Sequence, residues 1–143
     1  HFGQIFADAD SLLLGRKTWQ THGEAFEPNP AEDPFNGFKK FVVSNTLKSA
    51  DAWRDSTIIR GNVIEEVRKL KNQPGKNIIM DGSSVLVQAL IENDLVDELS
   101  LHIYPLVVGN GKRLFPVGKH ATFKLIESSS LPTGVVYQRY QSA

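Results

Sequence analysis

Residues 77–91 decide the fold, and they read Asn-Ile-Ile-Met-Asp-Gly-Ser-Ser-Val-Leu-Val-Gln-Ala-Leu-Ile. The apolar run Ile78-Ile79-Met80 ends at Asp81-Gly82, and an apolar segment of helical length begins at Ser83 or Ser84. This pattern predicts a buried strand that enters a helix through a tight turn. The N-terminus of such a helix suits a phosphate, because its N–H groups lack intrahelical partners; the same pattern also occurs in simple capped junctions.

The chain before this stretch contains similar units. Residues 2–9 have the spacing of the end of a helix, and Leu12-Leu13-Leu14 predicts a strand that reaches Gly15 and a second helix from Arg16. This second helix is expected to end early, because Gly23 and then Pro28, Pro30 and Pro34 break it and leave a polar, mobile loop to about Gly37. Two further strands are predicted over residues 38–44 and 57–59, and Asn62 is expected to cap the next helix with Glu65.

The C-terminal part has a different pattern. From Asp97, apolar and polar residues alternate, and residues 122–128 and 135–140 predict two more strands joined through Pro132-Thr133-Gly134. Strands that alternate with helices, followed by consecutive strands, predict an α/β fold. We expect a mostly parallel central sheet with helices on both faces and antiparallel C-terminal strands.

Composition narrows the classes of function. The 143 residues include 16 Lys plus Arg and 16 Asp plus Glu, so nothing predicts the charged surface of a nucleic-acid or membrane-surface binder. Without cysteine there is no thiol nucleophile or cysteine-ligated metal, and His22, His102 and His120 have no metal-ligand spacing. No apolar run of membrane length and no signal peptide is present, so we expect a cytoplasmic protein with a small-molecule ligand.

Polar and glycine residues gather at three predicted strand ends, which are residues 15–18, 44–46 and 81–84. The carboxyl ends of parallel strands lie at one edge of a sheet, and open α/β sheets bind ligands there. Two helix N-termini with an Arg, a Lys and several hydroxyl groups are suited to two or three phosphates.

Four segments, residues 12–19, 41–47, 78–86 and 95–115, together resemble the dihydrofolate reductase superfamily. Within it, they are similar to the reductase domain of the riboflavin-biosynthesis deaminase-reductase and its stand-alone bacterial relatives. The resemblance covers essentially the whole chain. It implies a three-layer dihydrofolate-reductase-like fold, with one such domain over residues 1–143 that lacks its N-terminal strand, and an NADPH-dependent reductase that forms a homodimer.

The resemblance also implies the cofactor-binding residues. Residues 15–18 match the family's Gly-Arg-x-Thr, whose helix receives the cofactor phosphates, with Arg16 or Lys17 at the 2′-phosphate that distinguishes NADPH from NADH. Residues 44–46 match the segment beside the adenosine ribose, and Met80 lines the nicotinamide pocket. The complete predicted set is Gly15, Arg16, Lys17, Thr18, Ser44, Asn45, Thr46, Met80, Gly82, Ser83, Ser84, Val85 and Leu86.

Asp81 departs from the glycine pair of dihydrofolate reductases. Because a carboxylate beside a phosphate is unfavourable, we expect Asp81 to point away or to cap the following helix. The superfamily also suggests a cis peptide at Asp81-Gly82. Its substrate-binding carboxylate would fall at or before residue 1, so we name no catalytic residue.

Two functions remain open at this point. The first is hydride transfer from NADPH to a small pterin-like or pyrimidine-like heterocycle. The second is a catalytically silent NADP-binding module with a role in sensing or assembly. A third origin, the reductase half of a larger deaminase fusion, is disfavoured by the length of the chain.

We expect Trp53 to pack in the protein core and not to stack on an adenine ring.

Overall fold

The computed structural model describes residues 2–81, 84–111, 113–115 and 120–143. The helices are α1 (Phe2–Ala7), α2 (Arg16–Phe26), α3 (Val63–Lys71) and α4 (Ser84–Glu92), with a short 3-10 helix at Pro30–Glu32. The strands are β1 (Ala9–Gly15), β2 (Lys39–Val43), β3 (Ser56–Ile59), β4 (Asn77–Met80), β5 (Glu98–Ile103), β6 (Phe123–Ser130) and β7 (Val136–Ser142). The chain divides into two compact units, the first up to Leu86 and the second from Val87.

The first unit contains a parallel sheet with the strand order β3-β2-β1-β4. Strand β1 is central and its Leu12, Leu13 and Leu14 are fully buried, which explains why it is an uninterrupted apolar run. The core joins Leu12 and Leu14 to Val42 of β2 and to Trp19, Phe35 and Trp53. The fold class predicted for this part of the chain is therefore confirmed.

Two details of the first unit differ from the predictions. Helix α2 continues through Gly23 to Phe26, because the missing side chain of Gly23 leaves room for Trp53. The following loop is not simply polar, since it places Phe35 in the core and buries Asp33. Asp33 accepts hydrogen bonds from Trp53 Nε1 at 2.9 Å and Phe35 N at 2.8 Å, which anchors the loop. Trp53 is a buried packing residue, as predicted.

The second unit contains an antiparallel sheet of its own, with the order β5-β7-β6. The predicted turn at residues 132–134 closes the hairpin: Leu131 N donates to Val135 O at 2.8 Å, and Gly134, at φ +88°, donates to Leu131 O. Across the sheet Arg139 donates to Glu98 and Glu127, at 2.7 and 3.4 Å. No helix among the described residues is both long and apolar enough to cross a membrane.

Candidate functional site

The carboxyl ends of three parallel strands bring the predicted polar segments to one edge of the sheet. In the β1–β2 register Gly15 pairs with Val43, and in the β1–β4 register Leu13 pairs with Met80. The polar residues follow directly after these positions. All of the predicted site residues belong to the first unit.

The N-terminus of α2 carries positive charge. Gly15 occupies the N-cap position in an extended conformation, and as a glycine it has no side chain to cap the helix. The first turn contains no acidic residue, and Arg16 and Lys17 are both exposed. The helix dipole and two cations therefore favour negative charge at this position.

A hydrogen bond joins two of the three predicted segments. Arg16 Nη1 donates to Thr46 Oγ1 at 3.0 Å, although the two residues are 30 positions apart. Ser44 is buried and organises the turn, because its Oγ accepts from Thr46 N at 3.2 Å and Leu47 N at 3.0 Å. The guanidinium of Arg16 and the hydroxyl of Thr46 thus form an exposed polar pair whose position is set by the buried Ser44.

The end of β3 adds a residue to this edge that the sequence analysis did not select. Arg60 follows Ile59 directly and donates through Nη2 to the carbonyl of Leu47. Next to it, Gly61 N donates to Asn45 Oδ1 at 2.9 Å, so the Asn45 side chain links the ends of β2 and β3. The available signal was the position of Arg60 at the end of a third parallel strand.

The end of β4 provides the third segment. Met80 is half-buried, Ser84 begins α4 and is half-buried, Val85 is 79% exposed and Leu86 is buried. Helix α4 begins where the sequence predicted. Gly82 and Ser83 lie outside the described residues, and so does the expected cis peptide at Asp81-Gly82.

Asp81 has a specific partner. Its Oδ2 lies 3.1 Å from Nε2 of His22, a residue of α2 that is 59 positions earlier in the chain. The Asp81 side chain is 55% exposed and that of His22 is 23% exposed. The carboxylate of Asp81 is therefore paired with the imidazole of His22.

Comparison with known proteins identifies the family. Residues 1–137 match the model of the RibD C-terminal domain. The uncharacterised Bacillus subtilis (strain 168) protein YyaP is 34% identical over 145 residues, which cover 94% of this chain and 75% of YyaP. The uncharacterised protein YwjB of the same organism is 27% identical over 116 residues, which cover 80% of this chain and 63% of YwjB.

Solved structures show the same fold at low sequence identity. A crystal structure from Shewanella sp. PV-4, whose name refers to riboflavin biosynthesis, has a TM-score of 0.82 at 22% identity and covers 99% of this chain and 78% of its own. A pyrimidine reductase-like protein from Corynebacterium diphtheriae has a TM-score of 0.66 at 14% identity, and the match covers 94% of this chain and 76% of that protein. As the sequence resemblance predicted, this protein belongs to the RibD C-terminal domain family, a membership that supports a reductase and hence an oxidoreductase.

Proposed function

We propose that this protein is an NADPH-dependent reductase that acts on a small heterocyclic substrate of the pterin or pyrimidine class. The observation that carries the proposal is the hydrogen bond from Arg16 to Thr46. It unites, at the ligand-binding edge of the sheet, the segment that would hold the cofactor phosphates and the segment that would lie beside the adenosine ribose.

The donors at this edge fit a phosphorylated dinucleotide. Arg16 and Lys17 would bind the 2′-phosphate, and the α2 N-terminus would receive the pyrophosphate together with the start of α4. Two hydrogen bonds fix the backbone around Thr46: Asn45 Oδ1 accepts from Gly61 N, and Ser44 Oγ accepts from Thr46 N. Bound NADPH would supply the hydride, and Met80 would line the pocket of its nicotinamide ring.

Cofactor selectivity tests the proposal. A charge-assisted hydrogen bond to the 2′-phosphate is worth about 1.5–3 kcal/mol, so Arg16→Met should raise the Kd for NADPH at least about tenfold and change that for NADH little. Binding is measured by calorimetry and by thermal stabilisation. Lys39→Met is the matched control, because Lys39 is an exposed cation at the amino end of β2 and hence at the opposite edge. Failure of the wild-type protein to bind or be stabilised by NADPH would contradict the proposal.

Turnover is tested with NADPH and a panel of pterins and pyrimidines. The expected result is substrate-dependent loss of the reduced-nicotinamide absorbance. If NADPH binds but no member of the panel is reduced, the silent NADP-binding module is the correct function.

We also propose a homodimer in the cytoplasm. An exposed apolar run supports self-association: Leu106 is 62%, Val107 95% and Val108 75% exposed. Light scattering of the wild-type protein and of Val107→Glu distinguishes a dimer through this run from a monomer.

A further inference from the structure

His22 occupies an aromatic environment that fixes its ring. Its ring centroid lies 5.8 Å from those of Phe26 and Phe35, and 6.1 Å from that of Trp53. Phe35 and Trp53 are buried, so two of the three walls belong to the core. The orientation of the imidazole is therefore set by packing as well as by its contact with Asp81.

The contact with Asp81 distinguishes the two ring nitrogens. A carboxylate only accepts hydrogen bonds, so Nε2 carries a proton toward Asp81 Oδ2. Within the described residues Nδ1 of His22 has no hydrogen-bonding partner. It is the nitrogen left to exchange a proton with a ligand, while the contact between Nε2 and Asp81 holds the ring in place.

One residue of the pair lies next in sequence to the residue that the proposed function assigns to the nicotinamide pocket. Asp81 directly follows Met80, the residue assigned to the nicotinamide pocket, and His22 is on the helix whose first residue is Arg16. By contrast, Asp10 lies near the start of β1, at the opposite edge of the parallel sheet, and its Oδ2 accepts from Lys76 N at 3.0 Å.

We propose that His22 donates the proton that completes the reduction and that Asp81 is its positioning residue. This inference rests on the proposed function. As the hydride adds to the carbon of a C=N or C=O bond, the π electrons pass to the heteroatom, which takes the proton from Nδ1 of His22. The product gains one C–H and one N–H or O–H bond, NADP⁺ remains, and neutral His22 regains its proton from water.

The placement of His22 is tested by NMR without turnover. NADP⁺ and adenosine 2′,5′-bisphosphate, which lacks the nicotinamide end, are titrated into labelled protein, and the ring signals of His22 are assigned by their loss in His22→Phe. We expect both ligands to shift the Arg16 guanidinium signals and only NADP⁺ to shift those of His22. Shifts at Arg16 alone with both ligands would overturn the inference, whereas no shift at Arg16 with either would overturn the proposed function.

The proton transfer is tested by kinetics with the substrate found in the panel. His22→Phe retains an aromatic ring against Phe26, Phe35 and Trp53 and should lower kcat about 100-fold or more, with KM changed less than about threefold. Asp81→Ala, which has no acceptor, should lower kcat about tenfold and abolish the hydrogen-bonded Nε2–H signal, whereas Asp81→Glu should retain part of the activity and part of the signal. Glu24→Gln, at an exposed carboxylate of α2, is the control.

Each outcome decides the assignment. The proton-donor role is overturned if His22→Phe keeps more than half of the wild-type kcat, or if kcat falls only with a loss of folded protein in thermal unfolding. If the protein binds NADP⁺ but reduces no pterin or pyrimidine of the panel, both the proton-donor role of His22 and the proposed reductase activity are wrong. His22→Gln provides a second variant if His22→Phe does not fold.

Discussion

Gly23→Ala is the most informative single perturbation of the first unit, because two effects of opposite sign meet there. Alanine is favoured over glycine inside a helix by about 1 kcal/mol. At Gly23, however, an added Cβ would lie 3.2 Å from Cβ and 3.6 Å from Cγ of Trp53. The nearest atom is a Cβ, so no rotamer change of Trp53 relieves the contact and the backbone must move.

The surroundings of Trp53 resist that movement. The side chain is fully buried, its Nε1 donates to Asp33 Oδ2 at 2.9 Å, and Lys40 Nζ lies 4.8 Å from the ring centroid. Overpacking a well-filled core costs about 1–3 kcal/mol. Subtracting the helix propensity leaves a net destabilisation of about 1 kcal/mol, which lowers Tm by roughly 2–4 °C for a chain of this size.

The assay is urea unfolding followed by tryptophan fluorescence, since Trp19 and Trp53 are both buried. Gly3→Ala is the matched control, because a Cβ at Gly3 of α1 would meet no atom within 4 Å, and we expect it to be neutral or stabilising. If Gly23→Ala is as stable as the wild type or more stable, the packing argument is wrong and Gly23 is an ordinary helical glycine.

Two further stability predictions use the same assay. Burial lowers the pKa of Lys40, although the charges of Asp33, Asp55 and Glu27 oppose this effect. Below the pKa that Lys40 has in the folded protein, the free-energy cost of burying its charge is fully present. This cost disappears as the pH rises through that pKa toward the ordinary lysine value of 10.5. The stability of Lys40→Met relative to wild type should fall between pH 7 and 10; a constant difference would refute this sign. Asn62 Oδ1 accepts from Glu65 N at 3.2 Å, so Asn62→Ala should cost about 1 kcal/mol and Asn62→Ser much less; equal losses would exclude capping as the cause.

Local sequence patterns were sufficient to predict the strands and helices that position the candidate site. The run Leu12–Leu14 is apolar because β1 is buried between β2 and β4, and Gly15 and Ser84 mark the helix starts. The cap at Asn62 was likewise predicted, because its partner is only three residues away. The reciprocal bond of a capping box was expected from Glu65, whose side chain instead pairs with Arg68 at 3.3 Å.

The sequence by itself determined the order of strands and helices, the polar residues at the strand ends and the family, because these depend on near neighbours and on motif spacing. Only the tertiary structure decided which side chains meet. The order β3-β2-β1-β4 and the path of α2 bring His22 to Asp81 and Arg16 to Thr46, across 59 and 30 positions. The same packing turns Gly23 from an apparent helix breaker into a contact for Trp53. No local pattern encodes such pairings, because each depends on the placement of elements that are distant in the chain.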